Sequence, residues 1–269
     1  MRGLPDGSIE SSIYSGRMMQ QIAVLAAGVM VVVAGSMPAL AETHHWSYSG
    51  ESGPSHWAEL DAKNKACGLG KSQSPIDILT QDVHQQGLPT LEFHYRTTPL
   101  HLIDNGHSIQ VNVDPGSTLR IGGKSYELVQ FHFHHPSEER INGKGSEMVA
   151  HLVHRDSAGA LAVVAVLLDA GKPNATVETL WSHLPKQKKH VMDFQGVRID
   201  PASLLPADRS YFTYTGSLTT PPCSEGVRWF VLKSPSTLSK SEIATFAAHY
   251  PNDARPLQKL NGREVLATK

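Results

Sequence analysis

Between residues 128 and 134 the chain reads LVQFHFH. Hydrophobic and polar side chains alternate along this stretch, which is typical of a β-strand with one face turned to a core. On a strand, residues two apart project from the same face, so His132 and His134 share one face. Phe131 and Phe133 then point into the core from the other face. On an α-helix the two imidazoles would diverge by about 200°, so only a strand lets both histidines hold one ligand.

Three further stretches have the pattern of strands. Residues 119–121 read LRI before two glycines, residues 149–154 read VAHLVH, and residues 161–168 read LAVVAVLL. The last stretch is continuously apolar and rich in β-branched side chains, so we expect a strand buried on both faces. Gly, Pro, Asn and Asp residues separate these segments. The middle of the chain is therefore expected to form a sheet.

Two segments carry the weaker signals of short helices. One covers residues 174–183, with Asn174 or Thr176 as its cap. The other covers residues 239–250 (SKSEIATFAAHY), which begins with a serine and a glutamate in capping-box register and is followed by a proline. No repeat and no interior linker appears in the sequence. We therefore predict a single domain, mainly β within the α+β class, with short peripheral helices.

Charge and composition exclude several classes of protein. The chain has 24 Lys+Arg against 25 Asp+Glu, a formal net charge of −1 and a sequence pI near 7.0. A nucleic-acid-binding protein typically shows a basic patch or a high pI, so we expect no nucleic-acid partner. A hydrophobic content of 40% and a mean hydropathy of −0.25 fit a globular protein with a substantial core. The residue counts that stand out are 15 histidines and two cysteines.

The longest apolar run lies near the N-terminus, where residues 22–34 read IAVLAAGVMVVVA after Arg17. Ala39 and Ala41 supply small residues at the two positions that a signal peptidase reads. A membrane anchor is the alternative, but a bilayer span needs about 20 apolar residues, and Gly, Ser and Pro end this run early. The pattern therefore predicts a secretory signal peptide.

Cleavage at this point divides the chain into a signal peptide over residues 1–41 and one domain over residues 42–269. The start of translation stays open between the first methionine and the pair at 18–19. Export predicts a periplasmic or secreted protein with no stable membrane anchor after cleavage. In such an oxidising compartment the two cysteines, Cys67 and Cys223, are interpreted as one disulfide, with two unrelated buried thiols as the alternative.

A third histidine, His151, lies on the next alternating segment. An adjacent strand could place it beside His132 and His134, whereas His154 has the opposite parity and is expected to face away. Three neutral imidazoles suit Zn²⁺, and three protein ligands with an open fourth position are the pattern of a catalytic site. A structural zinc site would be closed by four ligands, usually cysteines. The residues by themselves leave the plainer alternative open, that two histidines on a strand bind no metal.

A zinc ion with an open coordination position lowers the pKa of its bound water to about 7 in known enzymes, which provides hydroxide at neutral pH. Such zinc-bound hydroxide can attack carbon dioxide, an ester, a phosphate or a peptide. Composition does not choose among these substrates.

Seven short motifs occur in order along the chain. They are HWSY at 45–48, QSPID at 73–77, NGH at 105–107, QFHFH at 130–134, PSE at 136–138, HLVH at 151–154 and GSLTTPP at 216–222. From about His44 to the last helix the chain resembles an α-class carbonic anhydrase of the secreted bacterial type. The resemblance implies a twisted, largely antiparallel central sheet of about ten strands. It also implies a Cys67–Cys223 disulfide and cis peptide bonds before Pro75 and Pro222.

The resemblance implies reversible hydration of carbon dioxide to bicarbonate and a proton, with one Zn²⁺ per chain. The implied ligands are His132, His134 and His151. It makes Gln130 the acceptor that orients the ring of His132. It further implies that Thr219 accepts the hydrogen of the zinc-bound hydroxide and passes its own to Glu138, which turns an oxygen lone pair toward the substrate carbon.

Carbon dioxide is uncharged and needs an apolar niche rather than a binding cation. The implied lining consists of Val153, Val163, Leu218, Thr219, Thr220 and Trp229. The match of residues 105–107 to the family pattern implies that His107 is the proton shuttle, a role that suits histidine because it titrates near pH 7. Three residues would order water molecules along its path: Tyr48, Asn105 and Gln110. The remaining histidines, including His45, are expected to be surface or packing residues, and the protein is expected to be a monomer or a dimer.

Two positions depart from the family pattern. The family usually places a glutamate two residues before the third ligand, His151, where it accepts the hydrogen on that ring's other nitrogen; here this position is Val149. Glu147 shares the strand parity of His151 but lies four residues before it. Glu139 follows Glu138 where many relatives have histidine or asparagine. What orients His151 is therefore an open question at the level of sequence.

Two other functions compete with this interpretation. Residues 132–138 fit the His-x-His-x₃-Glu motif of a cupin, which would bind iron or manganese and act as an oxygenase. That family needs a Pro-x-Gly shortly before its third histidine, and residues 147–150 read EMVA instead. The second alternative is a non-catalytic periplasmic zinc-binding protein on the same scaffold, although none of the three histidines is missing.

Overall fold

The computed structural model describes residues 45–269 of the protein. The predicted signal peptide and His44 lie outside the described residues. The α-helices are α1 (Trp57–Leu60), α2 (Ala66–Leu69), α3 (Ala175–Ser182) and α4 (Lys240–His249). The strands are β1 (Asp77–Ile78), β2 (His84–Gln86), β3 (Glu92–His94), β4 (Thr98–Asp104), β5 (Ile109–Asn112), β6 (Thr118–Ile121), β7 (Lys124–His134), β8 (Arg140–Ile141), β9 (Met148–Arg155), β10 (Leu161–Ala170), β11 (His190–Ile199), β12 (Tyr211–Ser217), β13 (Glu225–Leu232), β14 (Ser236–Leu238) and β15 (Leu266–Thr268). Short 3₁₀ turns cover Gly50–Ser52, Ala62–Asn64, Thr80–Asp82 and Pro201–Leu204.

One large sheet organises the described residues. Its main path has the order β11-β4-β5-β7-β9-β10-β13-β12-β15-β2, with β3, β6 and β14 attached beside it. Most neighbours are antiparallel, while β10 runs parallel to β13 and β14, and β15 runs parallel to β2. A separate two-stranded parallel sheet joins β1 to β8. The path confirms the expected mainly antiparallel sheet of about ten strands.

The centre of the large sheet is buried on both faces. Residues Met148 to His154 of β9 and Ala162 to Leu168 of β10 are buried, which confirms the prediction for the apolar run at 161–168. Alternate residues enter two separate cores, as the strand period requires. The first apolar cluster includes Phe131, Phe133 and Leu152, and the second includes Val149, Val153, Val163 and Trp229.

The two predicted helices form with the expected caps. Asn174, rather than Thr176, caps α3, because its side-chain oxygen accepts hydrogen bonds from the backbone N–H groups of Thr176 and Val177. Ser239 and Glu242 form a complete capping box at the start of α4. Glu242 also accepts from the backbone N–H of Asn174, so one carboxylate links the two helices. No helix within residues 45–269 is both long and apolar enough to cross a bilayer.

The implied covalent features are confirmed. Cys67 and Cys223 form a disulfide, which packs against Trp57 in a small third cluster. The peptide bonds before Pro75 and Pro222 are cis. A third cis bond, between His135 and Pro136, was not predicted. It lies where β7 gives way to the loop that leads to β8.

Candidate metal centre

Three imidazoles converge at the middle of the large sheet. His132 and His134 lie on one face of β7, and the register of the β7–β9 pair places His151 directly opposite His132. One ring nitrogen from each of these histidines lies within 4.8 Å of those of the other two. The ring centroids are 4.9 to 5.4 Å apart. We call these residues the three-histidine cluster; the structure brings all three predicted ligands together, and His154 faces the other side of the sheet, where it bonds to Tyr95.

Each ring of the three-histidine cluster is held through its other nitrogen. Gln130 Oε1 lies 2.8 Å from Nδ1 of His132. The backbone carbonyl of Asp253 lies 2.7 Å from Nδ1 of His134. For His151 the engaged atom is Nε2, which lies 3.0 and 3.2 Å from the two carboxylate oxygens of Glu139. The nitrogens that remain to face the common centre are Nε2 of His132, Nε2 of His134 and Nδ1 of His151.

The donor set fits a divalent metal ion that prefers nitrogen ligands. Burial, with the neighbouring His134 and His151 rings adding to it, holds the pKa of His132 well below its usual value, so this ring is neutral. Neutral imidazole is the form that binds metal. Nε2 of His134 is buried and has no hydrogen-bond partner among the described residues. A buried polar atom without a partner costs free energy unless a ligand satisfies it, and a zinc-type ion would do so here.

Two carboxylates make the surroundings of the cluster acidic. Burial disfavours the protonated form of His134, but Glu138 and Asp253 outweigh it and raise the pKa of that ring. Glu138 Oε2 lies 3.7 Å from Nε2 of His134 and 3.9 Å from Nδ1 of His151. A positive ion at the centre would therefore be favoured by charge as well as by its nitrogen ligands.

Glu138 is held by the C-terminal part of the chain. Its Oε1 accepts a 2.7 Å hydrogen bond from the backbone N–H of Arg255, while Oε2 has no hydrogen-bond partner in the described chain. The guanidinium of Arg255 is itself buried and donates to the carbonyls of Ser74 and Cys67. Burial lowers the pKa of Arg255 to about 10, against the opposing effect of Glu138, and the group still carries its charge at neutral pH.

The expected hydrogen bond between Thr219 and Glu138 is not formed. Thr219 is buried, and the backbone N–H of its neighbour Leu218 bonds to the carbonyl of Ser224. Among the hydrogen bonds of the described residues, none joins the Thr219 hydroxyl to the Glu138 carboxylate. Oε1 of Glu138 accepts from the Arg255 backbone, and Oε2 lies 3.7 Å from Nε2 of His134 without a hydrogen-bond partner among the described residues.

The structure brings the predicted apolar lining together beside His151. Val153 and Val163 are paired across β9 and β10, and Val163 is also paired with Trp229 across β10 and β13. The Trp229 ring lies 4.9 Å from the His151 ring, and its N–H donates to the carbonyl of Ser217. Leu218 packs at the margin of this same second apolar cluster. Thr220 lies half-buried in the loop beyond Leu218.

The predicted shuttle lies against an aromatic side chain. The His107 ring stacks on Trp46 with a centroid distance of 3.5 Å and an interplanar angle of 9°. His45 packs edge-on against His107 at 4.8 Å. Burial lowers the pKa of His107 to about 4, and His45 and two lysines, Lys189 and Lys188, add to the effect. We call this pair the His107–Trp46 stack. In this position the imidazole of His107 is neutral at neutral pH.

The three residues expected to order water have different surroundings. The side-chain oxygen of Asn105 accepts from the backbone N–H groups of His107 and Ser108, so it shapes the turn that carries His107. The Tyr48 hydroxyl is buried without a hydrogen-bond partner among the described residues, and burial raises its pKa well above its usual value. Gln110 is paired with His132 across β5 and β7. Tyr48 and His107 line one cleft of about 510 Å³.

Sequence reasoning missed several contributors to this site. Asp253 and Arg255 bond to His134 and Glu138 through backbone groups, for which residue type carries no signal. His45, expected to be a surface or packing residue, is exposed and packs against His107, as predicted. Glu139 was noticed as a departure from the family pattern, but its contact with His151 was not foreseen.

Comparisons with known proteins agree with this geometry. The family model described as "Eukaryotic-type carbonic anhydrase" matches residues 52–269. A carbonic anhydrase of Nostoc sp. (strain PCC 7120) is 41% identical over 261 residues, which cover 96% of this chain and 99% of that protein. A carbonic anhydrase of Klebsiella pneumoniae is 44% identical and covers 86% of this chain and 94% of that protein. The solved α-carbonic anhydrase of Thermovibrio ammonificans, in complex with the inhibitor sulfanilamide, matches with a TM-score of 0.80 and 41% identity over 82% of this chain and 98% of that chain.

The fold, the three-histidine cluster and these matches define an α-class carbonic anhydrase. The chain belongs to the eukaryotic-type carbonic anhydrase family. It is an enzyme of that activity, with carbon dioxide and bicarbonate as its substrates. The cupin alternative is wrong, because the family match spans nearly the whole described chain.

Proposed function

We propose that the protein catalyses the reversible hydration of carbon dioxide with one Zn²⁺ held by His132, His134 and His151. The observation that carries the proposal is the convergence of one free ring nitrogen from each histidine within 4.8 Å. When bound, the ion supplies Lewis acidity that brings the pKa of a coordinated water to about 7, the value established for this enzyme family. The acceptors on the outer ring nitrogens fix the three rings before metal enters, which favours a single coordination geometry.

Thr219 and Glu138 are proposed to orient the nucleophile. Thr219 accepts a hydrogen bond from it and donates its own hydrogen to Glu138, which turns a lone pair toward the carbon of the substrate. Glu138 Oε2, which lacks a hydrogen-bond partner among the described residues, supports this role because it is available to accept. The buried backbone bond from Arg255 keeps the carboxylate in place.

The apolar lining is proposed to hold carbon dioxide beside the nucleophile. Val153, Val163 and Trp229 are buried and uncharged, and Leu218 and Thr220 lie at the margin. A linear, uncharged molecule gains from leaving water for such a surface and needs no cation to hold it. Bicarbonate, which is charged, is disfavoured there and leaves.

His107 is proposed to carry the proton from the active site to solvent. In the His107–Trp46 stack its pKa is about 4, so the ring releases a proton readily but does not accept one at neutral pH. Rotation off Trp46 into the cleft that Tyr48 also lines would restore a pKa near 6.5. Exchange between the two positions would then accept and release one proton per turnover. Asn105, Tyr48 and Gln110 are proposed to order the intervening water.

We further propose that residues 1–41 are a cleaved signal peptide and that residues 42–269 are the mature periplasmic or secreted domain. The Cys67–Cys223 disulfide supports export, because such bonds persist in oxidising compartments. Sequencing of the N-terminus of the exported protein tests this proposal. A mature chain that begins at residue 42 is expected, and a chain that retains residues 22–34 would contradict it.

Stopped-flow measurement of carbon dioxide hydration, with and without a zinc chelator, tests the proposed function. Purified protein is expected to contain one zinc per chain, to lose hydration activity with the metal and to regain it when zinc is returned. Because the Thermovibrio ammonificans relative was solved with the inhibitor sulfanilamide, we expect sulfanilamide to inhibit this enzyme as well. Zinc-loaded protein without hydration activity would favour the non-catalytic zinc-binding alternative. Full activity after complete removal of zinc would contradict the metal assignment.

A further inference from the structure

The third ligand of the three-histidine cluster lacks the usual carboxylate on its own strand. Two residues before His151 on β9 stands Val149, which is fully buried. It is paired with His134 of β7 and with Leu167 of β10, and its side chain belongs to the second apolar cluster. Glu147, the other acidic residue of matching parity, is exposed and makes no side-chain hydrogen bond among the described residues. Strand β9 therefore supplies no acceptor for the His151 ring.

The acceptor comes from a loop instead. After β7 the chain turns at His135 and runs to β8, where Arg140 and Ile141 pair in parallel with β1. This pairing fixes the residue just before β8, Glu139, whose side chain is fully buried. Both of its carboxylate oxygens face one atom, Nε2 of His151, at 3.0 and 3.2 Å.

The surroundings of Glu139 tie its charge to His151. Its only side-chain hydrogen bonds within residues 45–269 are the two to the His151 ring. Tyr214 also responds to this charge, because burial and then Glu139 raise its pKa. A buried carboxylate without a partner is costly. The pair is therefore a coupled unit rather than an incidental contact.

We infer that Glu139 is the positioning residue for the third metal ligand, a role moved from β9 to the loop before β8. The inference rests on the proposed function, since it assigns a role toward the zinc ion. By accepting the hydrogen on Nε2, Glu139 fixes the tautomer of His151 in which Nδ1 carries the lone pair toward the common centre. Glu138 and Glu139, which are adjacent in sequence, thus take separate tasks: one faces the reaction centre and the other orients a ligand.

The test compares the rate of zinc release from Glu139→Gln with that from the wild type. Release to a colorimetric chelator is expected to be about 10 to 100 times faster in the variant, because a neutral amide accepts less strongly than a carboxylate and mutation of such a partner typically costs this factor in metal affinity. Glu147→Gln is the matched control, because it removes the exposed carboxylate of the same charge; its release rate should stay within about twofold of wild type. The visible absorption of the cobalt-substituted protein should change in Glu139→Gln and not in the control.

A purely structural role would give a different result. In that case Glu139→Gln would lower the melting temperature of the metal-free protein but leave zinc release and the cobalt spectrum unchanged, and the inference would be overturned. If Glu139→Gln does not fold, Glu139→Asp carries the same test, because it keeps the charge but withdraws the carboxylate by one methylene. Wild-type protein that binds no zinc would overturn the proposed function itself, which is a separate outcome from unchanged release in the variant.

Discussion

The three-histidine cluster and the His107–Trp46 stack hold their imidazoles in opposite ways. In the cluster, each ring has one nitrogen bonded to a fixed acceptor, a side-chain amide, a backbone carbonyl or a carboxylate. In the stack, no residue of the described chain forms a hydrogen bond with either ring nitrogen of His107. The ring lies flat on Trp46 instead. Metal ligands gain from rings that are fixed in advance. A proton carrier must change its position and protonation state, so a fixed hydrogen bond would oppose its function.

The largest expected effect comes from removing a fixed ring. His134→Ala deletes the ligand whose free nitrogen is buried without a partner, so zinc binding and hydration activity should fall by at least about 100-fold, more than for loss of an orienting acceptor. Metal analysis and stopped-flow hydration measure the two effects. His94→Ala, at an exposed position, is the control and should leave both unchanged. Normal activity in His134→Ala would show that the cluster is not the metal centre.

A second experiment asks whether the fixing acceptor can be returned to the strand. In Val149→Glu with Glu139→Gln, the carboxylate stands on the same face of β9 as His151. This double variant is expected to recover most of the 10- to 100-fold faster zinc release of Glu139→Gln. Val149→Glu alone places two buried carboxylates near one nitrogen, and their repulsion should lower the melting temperature. The zinc release rate of the double variant measures this recovery. If Val149→Glu alone leaves the melting temperature unchanged, the buried placement of the two carboxylates, at positions 139 and 149, would be contradicted.

The third prediction concerns His107, the proposed proton shuttle. His107→Ala should slow hydration by about tenfold or more in weak buffer, because a positioned proton carrier is lost. Zinc content should stay at one per chain, unlike in His134→Ala. Imidazole added to the assay should restore the rate. His45→Ala tells the two neighbouring histidines apart: a comparable loss in this variant, with none in His107→Ala, would move the shuttle to His45.

Local alternation predicted the strands and the faces of their side chains. The alternation at 128–134 placed His132 and His134 on one face, and the same parity argument separated His154 from His151. These inferences depend on neighbours within a few residues and on the strand period, which the sequence contains directly. The four-residue helices α1 and α2 were not predicted, because they are too short to show a helical period.

The acceptors of the site depend on distant contacts that local pattern does not contain. The carbonyl of Asp253 meets His134 across a sequence separation of 119 residues, and any residue type could supply that group. Glu139 meets His151 from a loop segment next to the β8–β1 pair. Comparison with the family pattern revealed that Val149 could not orient His151, but the replacement required the fold. The implied Thr219–Glu138 hydrogen bond is not formed among the described residues, and local pattern likewise carries no signal for the position of these side chains.

The smallest expected effect concerns the pKa of His107 and uses Trp46→Ala. In the stack, burial lowers this pKa to about 4, below the usual value near 6.5, so between these values the unfolded chain binds the proton that the folded chain excludes. Folding stability from this residue is therefore present above pH 6.5 and declines as the pH falls toward 4. Removal of the indole exposes the ring to water, so its pKa should rise toward 6.5 and this part of the pH dependence should disappear.

Titration of the His107 ring by NMR measures the pKa directly, and thermal unfolding between pH 4 and 7 measures the stability. Hydration by Trp46→Ala should change by only about twofold to fivefold, because the shuttle remains and only its resting position is lost. Trp181→Ala, which alters an indole remote from His107 at the α3–α4 contact, is the control for the loss of a tryptophan. If the His107 pKa stays near 4 without Trp46, then the charges of His45 and the lysines set this pKa, rather than stacking on the indole. The difference between His107 and the rings of the three-histidine cluster would then rest on charge instead of on burial.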